Sequence, residues 1–240
     1  MSDVSRETVT GDDADPAAMT PPAAPSGAAA VFGDRMPVAA QFVDILADTG
    51  VTHGLIGPRE VPRLWERHVL NCAVIEDAFP VTARVIDVGS GAGLPGIALA
   101  IARPDLDLHL VEPMQRRTDW LRDTVSRLGL DNVTVHRGRA EELVGVVEAP
   151  WVTARAVARI AKLARWCVPL LDGRGTLVAM KGRSAQEELD ADRRDLTKLG
   201  LVDAAIHQHG ASVLDEPTVT LDLTFEPRPR RSPKAGELRR

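Results

Sequence analysis

The chain reads as one α/β domain on a mostly parallel, doubly wound sheet, and three observations lead there. From about residue 84 onward, short apolar strand patterns alternate with helix-period patterns, joined by short loops. The first strand runs into a glycine cluster that opens a helix, and sheets of this kind bind ligands beyond the carboxyl ends of their strands. The last pattern alternates Val219, Leu221, Leu223 and Phe225 with polar residues, which suits a final antiparallel strand.

Residues 1–30 are Ala, Pro, Gly, Ser and Asp with almost no large apolar side chain, so this stretch is expected to be a disordered tail. Residues 31–80 are expected to form an N-terminal helical cap. Val38, Phe42, Ile45 and Leu46 fall at helical spacing between Pro37 and Thr49. A Gly-Pro loop follows, then a short helix through Trp65 and a helical stretch ending near Phe79. The main domain spans 81–227. Its predicted order is strand Arg84–Val88, helix Leu94–Ala102, strand Leu106–Glu112, and a helix opened by Pro113. Met114, Trp120, Leu121, Val125 and Leu128 form the buried stripe of that helix, and Gly129 stops it as a left-handed cap. Strands Asn132–His136, Trp151–Ala154 and Thr176–Met180 come next. A helix with Val157, Ile160, Leu163, Ala164 and Cys167 on its buried face separates the last two. A polar helix over Ala185–Leu199 precedes strands near Ala204–His207 and Val219–Phe225. Residues 228–240, rich in Arg and Pro, form a second expected disordered tail, this one basic.

A chain of 240 residues holds one full α/β domain plus a small appendage. Its two cysteines, Cys72 and Cys167, are far apart and belong to no CxxC or His cluster, so neither a disulfide framework nor a metal site is expected. No run reaches the length of a membrane span and the N-terminus lacks a signal-peptide pattern, which points to a cytoplasmic, soluble protein with no membrane partner. The formal net charge of −5 disfavours bulk attraction to nucleic acid. The charge is uneven, however, with acids gathered at the start and arginines at the end, and a local basic patch is enough to contact phosphates. With no tyrosine and few aromatics, the chain lacks material for a base-stacking sheet surface.

The segment "VIDVGSGAGLPGIALAIARP" contains two overlapping motifs. Gly91-x-Gly93-x-x-Gly96 matches a dinucleotide fingerprint, and Glu112 closes the second strand about 20 residues later, where an acid accepts ribose hydroxyls. That geometry serves NAD and S-adenosylmethionine alike. Asp87-x-Gly89-x-Gly91-x-Gly93 favours the second: an acid on the strand can reach toward an ammonium group, which dinucleotides lack. Leu94-Pro95 also puts proline where a diphosphate needs a donating N–H. After the third strand, "HRGRAEEL" can offer Ala140 and Glu141 to an adenine base. An NAD-dependent oxidoreductase remains an alternative on these residues alone.

Taken in order, "ERHVLNC" at 66–72, "DVGSGAGLPGIALAIARPD", "RGRAEEL", "ARAVA" at 154–158 and "AMKG" at 179–182 resemble the glucose-inhibited division protein B family, the 16S ribosomal RNA guanine-N7 methyltransferases. "GLIGPRE…WERHVLNC" is similar to the actinobacterial branch, and the resemblance runs from about residue 37 to 226. It implies a Rossmann-like class I S-adenosylmethionine-dependent methyltransferase fold and methylation in the 530 loop, at position 527. By resemblance the methyl donor is held by Asp87, Gly89, Ser90, Gly91, Gly93, Leu94, Glu112, Pro113, Arg139, Ala140, Glu141 and Arg155. Arg155 and His68 are the catalytic candidates, and Arg116, Arg117 and Lys181 the RNA-binding ones. Where many members have Asp-Ser, this chain has Asn71-Cys72. The implied partner is 16S rRNA in the small subunit or its assembly intermediate, met by a monomer. The competing reading from another class is a non-catalytic ribosome assembly factor that retains the donor pocket.

Guanine N7 carries a free lone pair, so the expected catalysis is alignment and exclusion of water, not proton removal. The target guanine is expected to leave its stack and enter a pocket.

Overall fold

Strand and helix alternate as the patterns require in the computed structural model, which describes residues 20–155 and 158–226. The strands are β1 (Arg84–Val88), β2 (Asp107–Glu112), β3 (Val133–Arg137), β4 (Ala149–Arg155), β5 (Leu171–Lys181), β6 (Leu201–His209) and β7 (Thr218–Phe225). They form one sheet in the order β3-β2-β1-β4-β5-β7-β6. The first five are mutually parallel, and β7 inserts antiparallel to both β5 and β6. Chain order reverses beside β1, between β2 on one flank and β4 on the other, which opens a crevice at the carboxyl ends of these strands. The register brings Asp87 beside Thr153 and Arg155 beside Met180.

Two apolar layers sandwich the sheet. One contains the cap helices α1 (Ala28–Phe32), α2 (Met36–Ile45) and α3 (Asn71–Ala73), with α4 (Gly96–Ala102) and α5 (Gln115–Leu128). Phe42, Ile45, Leu46, Leu64, Leu70 and Ile75 of the cap region are almost fully buried there. The other layer contains α6 (Ile160–Cys167) and α7 (Ala185–Lys198), packed on Ile86, Val152, Leu177 and Leu223. No helix of the described residues is long and apolar enough to cross a membrane.

Several expectations change in detail. α1 begins at Ala28, which is fully buried, so order starts inside the stretch expected to be disordered. The rest of that expectation, over residues 1–19, and the one for 228–240 lie outside the described residues, as does Val157. Met114 does not join the buried stripe of α5: it is 41% exposed, and the stripe is Thr118, Trp120, Leu121, Thr124 and Leu128. The reason is local. The Met114 N–H donates to Glu112 Oε1 at 3.0 Å, which keeps Met114 extended and delays the helix to Gln115. Gly129 ends α5 at φ 61°, ψ 46°, the expected left-handed cap. β5 and β6 are longer than their apolar patterns, because polar residues such as Asp172, Arg174 and Gln208 extend them along exposed ends.

Candidate active site: a donor cradle and an arginine-lined cleft

The loop after β1 folds over the end of β2. The N–H groups of Gly89 and Ser90 both donate to the Val111 carbonyl, at 2.9 and 3.2 Å. Ser90 is buried, and its hydroxyl donates to the Asp87 carbonyl at 2.9 Å, so its side chain braces the turn. The glycines divide into two kinds. A Cβ on Gly93 would lie 2.4 Å from Ile97, and one on Gly96 would lie 2.2 Å from Leu110 and 2.8 Å from Asp87 Oδ2. Of these two, the second and third glycines of the dinucleotide pattern, Gly93 lets the loop close on Ile97 of α4 and Gly96 lets α4 pack closely on the sheet. Gly91, at φ +52°, is the one of the three where a Cβ would clash with nothing, meeting the Gly89 carbonyl oxygen at an ordinary 3.7 Å, so its glycine is required by the backbone angle and not by packing. Leu94 is buried as well.

Asp87 is fully buried. Its Oδ2 accepts the Gly96 N–H at 3.0 Å, while Oδ1 has no hydrogen-bond partner. Burial pushes the carboxyl up to about 7, against the Gly96 N–H and Arg155, which pull it down. An orphaned carboxylate oxygen at the mouth of a glycine loop suits a ligand that brings a cation or a donor.

Glu112, 2% exposed, is the second acid of the cradle. Its Oε2 accepts the Gly91 N–H at 3.1 Å, and Arg117 stands 3.7 Å away. Arg117, expected on the RNA side, therefore turns inward toward the cradle; Arg116 is exposed on α5. Pro113 is exposed beside the cradle. The Gly138 N–H donates to the Glu112 carbonyl at 3.2 Å and brings the loop after β3 alongside. In that loop Ala140 is buried, and Arg139 and Glu141 are exposed. Glu142 caps the turn by accepting the Arg139 N–H at 2.9 Å, which leaves Glu141 outside the cap.

Beyond the ends of β4 and β5 lies a cleft of about 1310 Å³. Arg63, Arg67, Arg155, Arg159 and Arg183 line it with Asn71, Thr218 and four acids. Arg155 sits between cradle and cleft. Its guanidinium donates to the Arg67 carbonyl at 3.4 Å and faces His68 Nδ1 at 3.4 and 3.5 Å; it forms no salt bridge to Asp87 or Glu141. His68 Nε2 lies 2.9 Å from Glu60 Oε2. Burial holds the imidazole below its ordinary value, against the Glu60 contact that raises it. Lys181 is in the cleft wall, but its ammonium is committed to the Glu188 carboxylate at 2.8 Å and the Ala158 carbonyl at 2.9 Å. The expected RNA-binding lysine is thus ion-paired within the cleft wall.

Asp87, Gly91 and Glu112 thus come together with the loop after β3 alongside, Ser90 and Gly93 also pack the loop itself, and Pro113, Arg139 and Glu141 are exposed. Sequence reasoning missed Glu60, Arg63 and Arg67. Arg63 and Arg67, four residues apart with Arg67 itself opening "RHVLNC", were the available signal for a basic face. Cys72 and Cys167 are buried, and burial pushes the Cys72 thiol up to about 11 and that of Cys167 higher still, so neither is an available nucleophile. Among the described residues, no group of three or more His, Cys, Asp or Glu is placed to hold a metal ion.

A buried acid beside a loop N–H, an orphaned carboxylate oxygen and a large polar cleft together suit transfer from a small cationic ligand to a bulky polar acceptor. The fold is shared with an S-adenosylmethionine-dependent O-methyltransferase from Thermotoga maritima, at a TM-score of 0.52 and 15% identity over 80% of this chain and 73% of that one. In sequence, the chain is 55% identical to the ribosomal RNA small subunit methyltransferase G of Pseudarthrobacter chlorophenolicus, over 80% of this chain and 89% of that protein. It is 51% identical to the one of Thermobifida fusca, over 86% and 87%. Residues 35–216 match the model of the family described as rRNA small subunit methyltransferase G, and to that family the chain belongs.

Proposed function

We propose that this protein transfers a methyl group from S-adenosylmethionine to N7 of a guanine in the 530 loop of 16S rRNA, position 527. The observation that carries the reading is Arg155, set between a cradle with two buried acids and an arginine-lined cleft large enough for an extruded nucleotide. Glu112 would hold the donor's ribose hydroxyls, and Gly91 would give it backbone access. Asp87 would face its ammonium through Oδ1, with Glu141 and Ala140 toward the adenine. When bound, the donor supplies an activated methyl group on a sulfonium.

The chain's own residues do the rest. N7 has no proton to lose, which fits a site whose only imidazole, His68, is already engaged with Glu60 and Arg155. Arg155 orients the guanine or its phosphate, and Arg63 and Arg67 neutralise neighbouring phosphates. Neither has a carboxylate partner within ion-pair distance among the described residues. The chain acts as a monomer in the cytoplasm, on the small subunit or its assembly intermediate.

The test is transfer of labelled methyl from S-adenosylmethionine to small subunits that lack the modification, followed by mapping of 7-methylguanine. One labelled guanine in the 530 loop is expected. Protein that binds the donor but labels no rRNA refutes the reading and leaves the assembly factor in its place.

A further inference from the structure

A hydrogen-bonded chain runs from the cap to the sheet: Glu60, His68, Arg155. We infer that Glu60 and His68 are positioning residues, which fix the Arg155 guanidinium at the junction of cradle and cleft through a single imidazole tautomer. The inference rests on the proposed methyl transfer and assigns a purpose to "GLIGPRE", the motif that the donor site leaves unused.

The tautomer follows from donor counting. A guanidinium has five N–H donors and no acceptor, so the His68 nitrogen facing it must be bare. Arg155 faces Nδ1, at 3.4 and 3.5 Å. The proton of the neutral ring is then on Nε2, where Glu60 Oε2 accepts it at 2.9 Å. A carboxylate accepts and never donates, so each link permits only this direction. Glu60 selects the tautomer, as carboxylate partners of histidines do elsewhere.

The surroundings agree. The His68 side chain is 15% exposed and faces Arg155 from β4, Glu60 from the preceding turn and Arg67 from its own helical turn. Burial and both arginines disfavour a charged ring. A charged ring, or the other tautomer, would point an N–H at the guanidinium and set donor against donor. Among the described residues no carboxylate lies within ion-pair distance of Arg155, so His68 Nδ1 and the Arg67 carbonyl are its only anchors. A long side chain at a strand end otherwise loses considerable rotamer freedom when it must hold one pose.

Three side chains separate positioning from mere packing. Asn places an oxygen acceptor where Nδ1 is, Gln places its amide near Nε2, and Ala removes both. In the methyl-transfer assay, His68→Ala is expected to lower kcat/KM at least tenfold, His68→Asn to recover it to within threefold of the native protein, and His68→Gln to resemble Ala. Added to Arg155→Ala, His68→Gln is expected to lower the rate less than twofold further, because its effect passes through the arginine. Equal losses for Asn and Gln, or full additivity with Arg155→Ala, would overturn the inference. A second readout needs no activity. Nitrogen NMR of 15N-histidine-labelled protein, with His68→Asn to assign the signal, is expected to show a protonated Nε2 and a bare Nδ1 at neutral pH. A proton on Nδ1 would refute the positioning chain, while absence of methyl transfer by the native protein would refute only the functional reading beneath it.

Discussion

At the ends of β1 and β2 the charged groups are buried and gripped by backbone: Gly96 holds Asp87, and Gly91 and Met114 hold Glu112. At the ends of β4 and β5 they are arginines on half-exposed or exposed side chains: Arg159 and Arg183 reach Asp192 and Glu216 at 3.2 and 2.8 Å, Arg155 rests on His68 and the Arg67 carbonyl, and Arg63 and Arg67 have no carboxylate within ion-pair distance among the described residues. The first arrangement is preorganised for one small molecule of fixed shape. The second presents charge on solvated side chains, which suits a backbone of phosphates whose path varies. The two regions share a sheet and meet at Arg155, so single substitutions can test whether they are separable.

Glu112→Ala should have the largest effect, raising the donor's Kd by about 100-fold through loss of a charged hydrogen-bond partner, with rRNA binding unchanged; titration calorimetry and filter binding check the two halves. Arg155→Ala should lower turnover by roughly 30-fold while donor affinity moves less than threefold, as expected for an interaction made mainly in the transition state. If both variants shift the same parameter, cradle and cleft are one unit and the division fails.

The third effect is a pH dependence confined to the cradle. The Asp87 carboxyl is raised from its ordinary value to about 7, so the unliganded fold binds a proton that the unfolded chain releases near pH 4. Its contribution to stability is full below that value and is lost as pH rises to about 7, at no more than about 1.4 kcal/mol per pH unit. Asp87→Asn keeps an acceptor for the Gly96 N–H and should flatten this decline in thermal or urea unfolding between pH 5 and 7. It should also weaken donor binding above pH 7, where the native carboxylate is charged. The smallest effect belongs to the cleft: Arg67→Ala should weaken rRNA binding only a few-fold and reduce its salt slope by about one.

The architecture was legible because alternating periodicities are a property of the core, and both apolar layers obey them. The cradle was legible because its acids stand at strand ends, a position set by the strands themselves. What escaped were contacts between distant segments. Nothing local distinguishes Lys181, tied to Glu188 of α7, from a free lysine. Nothing within "GLIGPRE" marks Glu60 as the partner of an imidazole in the next helical turn. The glycines misled in an instructive way, since a spacing associated with ligand contact places Gly93 and Gly96 against Ile97 and Leu110.

The cap is fastened to the last hairpin. His209 of β6 pairs with Asp77 at 2.6 Å and Thr218 of β7 donates to the Asn71 carbonyl at 2.9 Å, across sequence separations of 132 and 147 residues. Contacts of such long range close late, and a chain emerging residue by residue cannot make them until its final strands are free. The strands that frame the cradle are complete by Arg155, but the cleft wall needs Thr218. During synthesis the cradle can therefore form before the cleft wall is complete, and under the proposed function the protein would gain its grip on RNA only once its own translation is nearly finished.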